Sequence, residues 1–87
     1  MSKQTVTSEL RKSIEKVTGR IIQQIIYSDS RKGNAVGVKV AFEKYNDDQI
    51  KAIVADMESK GFIKKYVRFN DTKYAYVYGT RFCFFNK

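Results

Sequence analysis

The chain has 87 residues, and 17 lysines and arginines against 9 aspartates and glutamates give it a formal charge of +8. This length allows one hydrophobic core and therefore one domain. The absence of histidine and the presence of one cysteine exclude the common zinc sites, histidine-dependent nucleophiles and a disulfide framework. No cofactor is expected, and the positive charge favours an anionic partner.

The predicted location follows from the apolar runs. The longest apolar runs in the predicted first helix are two residues long, Ile21-Ile22 and Ile25-Ile26. A membrane span needs about 18 apolar residues. Residues 1–7 contain no apolar core of a signal peptide. They are predicted to form a flexible tail before a single compact domain over residues 8–87. A cytoplasmic protein without a membrane partner is expected, in the host cytoplasm if the protein is viral.

The first predicted element is a helix from Ser8, a favourable N-cap, to about Tyr27. Apolar residues recur there at steps of three and four, which aligns them on one helix face: Leu10, Ile14, Val17, Ile21 and Ile25. A polar segment over residues 28–34 is predicted to be a basic loop that carries Arg31 and Lys32.

A strand and a second helix are predicted next. The two-residue alternation of apolar side chains from Val36 to Phe42 predicts a strand with one buried face. Asn46 and Gln49 have the spacing of a capping box, which predicts a helix over about residues 47–60. Gly61 after Lys60 is a typical helix end. Four residues form its predicted buried stripe: Ile50, Ile53, Val54 and Met57.

Two further strands are predicted near the C-terminus, joined by a turn over residues 70–72. The first, residues 63–69, carries Lys65 on its otherwise apolar side. The second covers residues 74–85, and Gly79 inside it predicts a bulge. The predicted fold is therefore α+β, in the order helix-strand-helix-strand-strand, with two helices on one face of a small three-stranded sheet. The other sheet face is left to solvent or to a partner.

The predicted C-terminal hairpin is the first candidate binding surface, because tyrosines alternate with cations along it. Nucleobases stack on aromatic rings for about 1–3 kcal/mol each, while lysine and arginine neutralise phosphates. This pattern predicts binding of RNA or single-stranded DNA through eight residues: Lys64, Tyr66, Arg68, Lys73, Tyr74, Tyr76, Tyr78 and Arg81. The alternative is structural, since tyrosine is also a good strand former with a half-buried ring.

Further cations could extend this surface. Lys12, Lys16 and Arg20 recur at steps of four along the first helix, and Arg31 and Lys32 lie in the basic loop. A solvated helix face is the alternative for the first three. The acidic residues of the second helix are interpreted as structural rather than as a magnesium site: Asp47, Asp48, Asp56 and Glu58.

The aromatic run from Phe82 to Phe85 is predicted to bury Cys83 as a small apolar side chain without chemical activity. Such a run also favours burial against a second copy of the chain, because a small monomer has limited means to cover it. A homodimer is therefore a further prediction.

The leading functional hypothesis is a small basic accessory protein, of the phage or mobile-element type, that binds RNA or single-stranded DNA. The principal alternative is an inhibitor or regulator that docks on a host or defence enzyme, since tyrosine and arginine are also favoured at protein interfaces. A winged-helix-like DNA binder fits less well, because the second helix is acidic. An enzyme is not expected, and the one enzymatic hypothesis is a histidine-free ribonuclease that uses lysine, arginine and tyrosine.

Overall fold

The computed structural model of the protein describes residues 2–22, 24–29, 35–72 and 77–85. The elements in these ranges are α1 (Ser2–Thr18), β1 (Ile25–Asp29), β2 (Ala35–Ala41), α2 (Asp47–Ser59), β3 (Ile63–Asn70) and β4 (Gly79–Phe85). The strands form one antiparallel sheet in the order β1-β2-β4-β3. The predicted α+β class is confirmed. The prediction of three strands is wrong, because β1 adds a fourth and changes the order of elements.

Both helices cover the same face of the sheet. Leu10 from α1 and Ile53 and Met57 from α2 belong to one buried cluster with alternate residues of the two central strands. Those strand residues share one side of the pleat: Val36, Val38, Val40, Phe82 and Phe84. The opposite side of the sheet carries no helix among the described residues, and we call it the helix-free face.

The first helix begins earlier than its predicted start at Ser8. It starts at Ser2, inside the segment 1–7 that the sequence predicts to be a tail. Val6 is fully buried beside the predicted core residue Leu10. The two residues are four apart, so Val6 extends the apolar stripe of the helix by one turn.

The first helix also ends earlier than predicted. It stops at Thr18 rather than near Tyr27, because Gly19 adopts a left-handed backbone with φ of 72° and donates its N–H to the carbonyl of Glu15 at 2.9 Å. The following segment Ile25–Asp29 is β1. Its isoleucines are β-branched and favour a strand, and pairing with β2 outweighs their helical spacing.

The second helix is as predicted. Asn46 accepts a hydrogen bond from the backbone N–H of Gln49 at 2.8 Å, and the Gln49 side chain accepts one from the Asn46 N–H at 3.1 Å. At the other end Gly61 has a φ of 100°, and the Phe62 N–H donates to the carbonyl of Met57 at 3.2 Å. These are the contacts of a capping box and of a glycine-terminated helix end with its apolar contact.

Strand β2 is buried on both faces, whereas the sequence predicts one buried face. The unpredicted strand β1 contributes to this burial, since it makes β2 a central strand with a neighbour on each edge. On the helix-free face Lys39 is only 5% exposed, between Ile26 of β1 and Arg81 of β4 in the register. Its remaining neighbours on this side of β2 are small, namely Gly37 and Ala41.

The bulge predicted at Gly79 lies in β3 instead. Lys64 pairs with Phe84 and Tyr66 with Cys83, which leaves Lys65 as the extra residue. The bulge therefore shifts the alternation of β3, and Lys64 is directed away from the face that carries Tyr66. Gly79 is the first residue of β4, and residues 73–76 of the predicted long strand lie outside the described ranges.

A network of polar groups connects the two helices. The Ser13 hydroxyl donates to the carboxylate of Asp56, which also forms ion pairs with Lys16 and Lys60, both at 3.3 Å. Lys60 further pairs with Glu9 at 3.1 Å. The network includes Asp56, one of the acidic residues interpreted as structural from the sequence.

This network predicts loss of stability in acid. The hydrogen bond from Ser13, followed by those from Lys16 and Lys60, lowers the folded-state pKa of Asp56 to about 2, below about 3.9 in an unfolded chain. A lowered folded-state pKa stabilises the protein above about pH 4, and this contribution is lost as pH falls toward 2. Urea unfolding should show a smaller decline of stability over this range in Asp56→Asn than in the wild type.

The matched control is Glu58→Gln, which removes an exposed carboxylate from the same helix. It should retain the decline of the wild-type protein. An equal decline in wild type and in Asp56→Asn would show that Asp56 does not have its lowered pKa in solution.

Candidate nucleic-acid interface

The helix-free face combines cations and aromatic rings. The register assigns the following described side chains to it: Ile26, Ala35, Gly37, Lys39, Ala41, Ile63, Tyr66, Arg68, Asn70, Arg81, Cys83 and Phe85. Lys65 joins them, because its ammonium group lies 6.0 Å from the centre of the Phe85 ring. The part nearest solvent lies on β3 and β4, where Arg68 and Lys65 are exposed and Arg81 is half-buried.

Three cations stand side by side across three strands. Arg81 is directly opposite Lys39 on one side and Arg68 on the other. Directly opposed side chains in an antiparallel pair have Cβ atoms about 4.5–5.5 Å apart, so like charges there repel. Burial, and then repulsion by Arg81, lowers the pKa of Lys39. A bound anion between Arg68 and Arg81 would relieve the repulsion between these two residues.

Neither arginine of this row is neutralised by the protein itself, as far as the described ranges extend. Hydrogen bonds and ion pairs to Arg68 and Arg81 are absent there, and the contact made by Arg68 is with a ring. Its guanidinium carbon lies 5.0 Å from the centre of the Tyr66 ring, a favourable cation–π distance. Within those ranges the guanidinium donors of both arginines are available to a ligand, and the Tyr66 ring restricts the position of Arg68.

Acidic side chains are kept away from this face. Eight of the nine acidic residues lie on the helices, in the β2–α2 connection or after β3: Glu9, Glu15, Glu43, Asp47, Asp48, Asp56, Glu58 and Asp71. The ninth, Asp29, ends β1, where the register pairs it with Val36 of the helix-covered side. The two sides of the protein thus differ in charge, which is the expected electrostatic pattern of a surface that binds a polyanion.

The structure brings together part of the site predicted from the sequence. Tyr66, Arg68 and Arg81 share the helix-free face. Lys64 is separated from them by the bulge, and Tyr78 precedes β4 and packs elsewhere. Five predicted residues lie outside the described ranges: Arg31, Lys32, Lys73, Tyr74 and Tyr76.

The predicted cations of the first helix are not part of this face. Each forms an ion pair with a carboxylate: Lys12 with Glu9 at 3.8 Å, Lys16 with Asp56 at 3.3 Å, and Arg20 with Glu43 at 2.7 Å. Lys12 and Lys16 lie on α1, in the layer that covers the opposite face of the sheet. Their charge is therefore partly neutralised and is not contiguous with the arginine row.

Lys39, Lys65 and Phe85 are members of this face that the sequence prediction missed. One feature of the sequence pointed to Lys65: it interrupts an otherwise apolar side of the predicted strand. The bulge at Lys65 explains this interruption. Cys83 is buried, as predicted. Phe82 and Phe84 are covered by the helices of the same chain, so the aromatic run by itself does not require a second copy.

Comparisons with protein-family models, curated proteins and solved structures found no match to this chain. Neither α1 nor α2, the helices of the described ranges, has the length and apolar character needed to cross a membrane. In the same ranges, no three histidine, cysteine or acidic side chains come together as a potential metal site.

Proposed function

We propose that the protein binds RNA or single-stranded DNA through a cation–ring patch on the helix-free face, formed by Lys65, Tyr66, Arg68, Arg81 and Phe85. The observation that carries the proposal is the direct opposition of Arg68 and Arg81 on the helix-free face. Among the residues that the structure describes, no carboxylate lies on this face. Two guanidinium groups held side by side repel each other, and phosphate groups of a nucleic acid would remove that repulsion.

The two rings support a single-stranded ligand. Tyr66 and Phe85 are half-buried and each has a cation beside it. Unstacked bases can lie against such rings while the neighbouring cations contact the backbone. The bases of a duplex are already stacked inside it and are not available to the rings.

A protein that recognises double-stranded DNA would need a helix or strand that enters one of the grooves. Both described helices pack on the far side of the sheet from the patch, and α2 begins with Asp47 and Asp48, which repel phosphate. This arrangement disfavours the winged-helix alternative. The docking alternative uses the same tyrosine and arginine residues and differs in its response to salt.

The experiment is fluorescence anisotropy of a labelled single-stranded RNA, the same sequence as single-stranded DNA, and a DNA duplex, each titrated at several salt concentrations. Three phosphate contacts, from Lys65, Arg68 and Arg81, predict a slope of log affinity against log salt of about −2 for a single strand. The duplex should bind more weakly. Absence of binding at low salt would overturn the proposal in favour of docking on a protein.

A further inference from the structure

A half-open cavity lies at the end of the sheet, between the α1–β1 connection and the β2–α2 connection. Its volume is about 600 Å³, within the range of about 300–1,000 Å³ that is usual for small-ligand sites. Two large apolar side chains line it, Ile21 with 80% and Phe42 with 51% of their surface exposed. The fold thus presents apolar surface at this point instead of burying it.

The exposed residue Phe42 has an unusual backbone conformation. Its φ is 65°, a left-handed conformation that a bulky side chain rarely adopts. Its N–H donates to the carbonyl of Tyr78 at 3.0 Å, and the two rings stack with centres 6.5 Å apart and planes inclined by 26°. Tyr78 therefore supports the ring of Phe42 from one side. Strained residues of this kind concentrate at ligand-binding sites.

The cavity adjoins the helix-free face. Ala41 belongs to both, since it lines the cavity and pairs with Gly79 on that face. Arg81 of the patch is two residues after Gly79, the partner of Ala41, a distance of about 7 Å along β4. A nucleic-acid strand with one phosphate at Arg81 could therefore reach the mouth of the cavity with a neighbouring base.

Polar side chains that can form hydrogen bonds with the edge of a base lie beside the apolar walls of the cavity. The Arg20 guanidinium and the Glu43 carboxylate form an ion pair at 2.7 Å beside the cavity, and Gln24 adds an exposed amide. Arginine, glutamate and glutamine side chains all form hydrogen bonds with base edges. The lining thus combines a flat ring with donors and acceptors, as sites for unstacked bases do.

We infer that this cavity receives one unstacked nucleobase of the strand bound on the cation–ring patch. The base lies against the Phe42 ring beside Ile21, and Arg20, Gln24 or Glu43 contacts its edge. This inference rests on the proposed function, and the experiment below separates the failure of one from the failure of the other.

The test uses Phe42→Gly in the full chain, because glycine adopts a φ of 65° readily and only the ring is lost. Two labelled single strands of about 12 nucleotides serve as probes, one with bases and one fully abasic. Loss of one stacked base should weaken binding of the base-bearing strand by at least about fivefold. Binding of the abasic strand should hardly change. Ile21→Ser should show the same selectivity.

The other outcomes overturn the inference. Unchanged affinity of both variants for the base-bearing strand would exclude a base in the cavity and leave the proposed function intact. Equal weakening toward both strands would assign Phe42 a role in shaping the surface rather than in stacking. If the wild type binds neither strand, the proposed function and the cavity fail together.

Discussion

Replacing Arg68 and Arg81 together with alanine is expected to weaken binding of a single strand by about 10- to 100-fold at low salt, since each charge-assisted contact contributes about 1.5–3 kcal/mol in other proteins and such contributions overlap. The salt slope should become shallower by about 1.4, or about 0.7 for each lost phosphate contact. Anisotropy titrations over a range of salt concentrations measure both quantities.

The same double variant should keep its fold. Arg68 and Arg81 are opposed like charges, and relief of their repulsion offsets the loss of the cation–π contact between Arg68 and Tyr66, so the free energy of unfolding should change by less than about 1 kcal/mol. Urea unfolding therefore distinguishes lost binding from lost structure. A folded variant with wild-type affinity and salt slope would show that the two arginines do not contact phosphate.

The matched control is the double variant Lys12→Ala with Lys16→Ala. It removes the same number of positive charges from α1, where both lysines pair with carboxylates. Its affinity measured at 0.1 M salt should remain within about twofold of wild type, since at that concentration screening weakens interactions beyond about 10 Å. If both double variants lost affinity equally, net charge rather than the cation–ring patch would determine binding.

The elements predicted well from the sequence are those whose determinants are local. For α2, Asn46 and Gln49 provide one end, and Gly61 with Phe62 provides the other. These contacts join residues only a few positions apart, so the spacing in the sequence carries nearly all the information that the structure uses.

In the segment after Thr18, the local sequence pattern does not determine the secondary structure. Its isoleucines have a spacing that suits a helix and β-branched side chains that suit a strand. Pairing of Ile25 with Val40 decides between the two, and that contact joins residues far apart in the sequence. The fourth strand, and with it the burial of Lys39 on the helix-free face, could therefore not be predicted from periodicity alone.

The candidate site depends on register in the same way. Tyr66 and Arg68 share a face because they are two residues apart in a strand, which the sequence predicts. The placement of Arg81 opposite Arg68 depends on the pairing of β3 with β4 after the bulge at Lys65. A one-residue slip would direct one of the two arginines to the helix-covered face.

Gly79→Ala is expected to destabilise the protein by about 3 kcal/mol, a large share of the stability of a domain this small. Gly79 has a φ of 151°, and a Cβ there would lie inside van der Waals contact of the Val40 carbonyl oxygen and 3.1 Å from the Ala41 Cα. Backbone atoms cannot move away as a flexible side chain can. Urea unfolding measures the loss.

Gly19→Ala is the matched control, because Gly19 also has a positive φ, 72°, but its Cβ would meet no atom within 4 Å. It should cost about 1 kcal/mol from the backbone conformation alone. Equal losses in the two variants would contradict the close approach of β4 to β2. That approach matters for the site, since pairing of Gly79 with Ala41 sets the register that aligns Arg81 with Lys39.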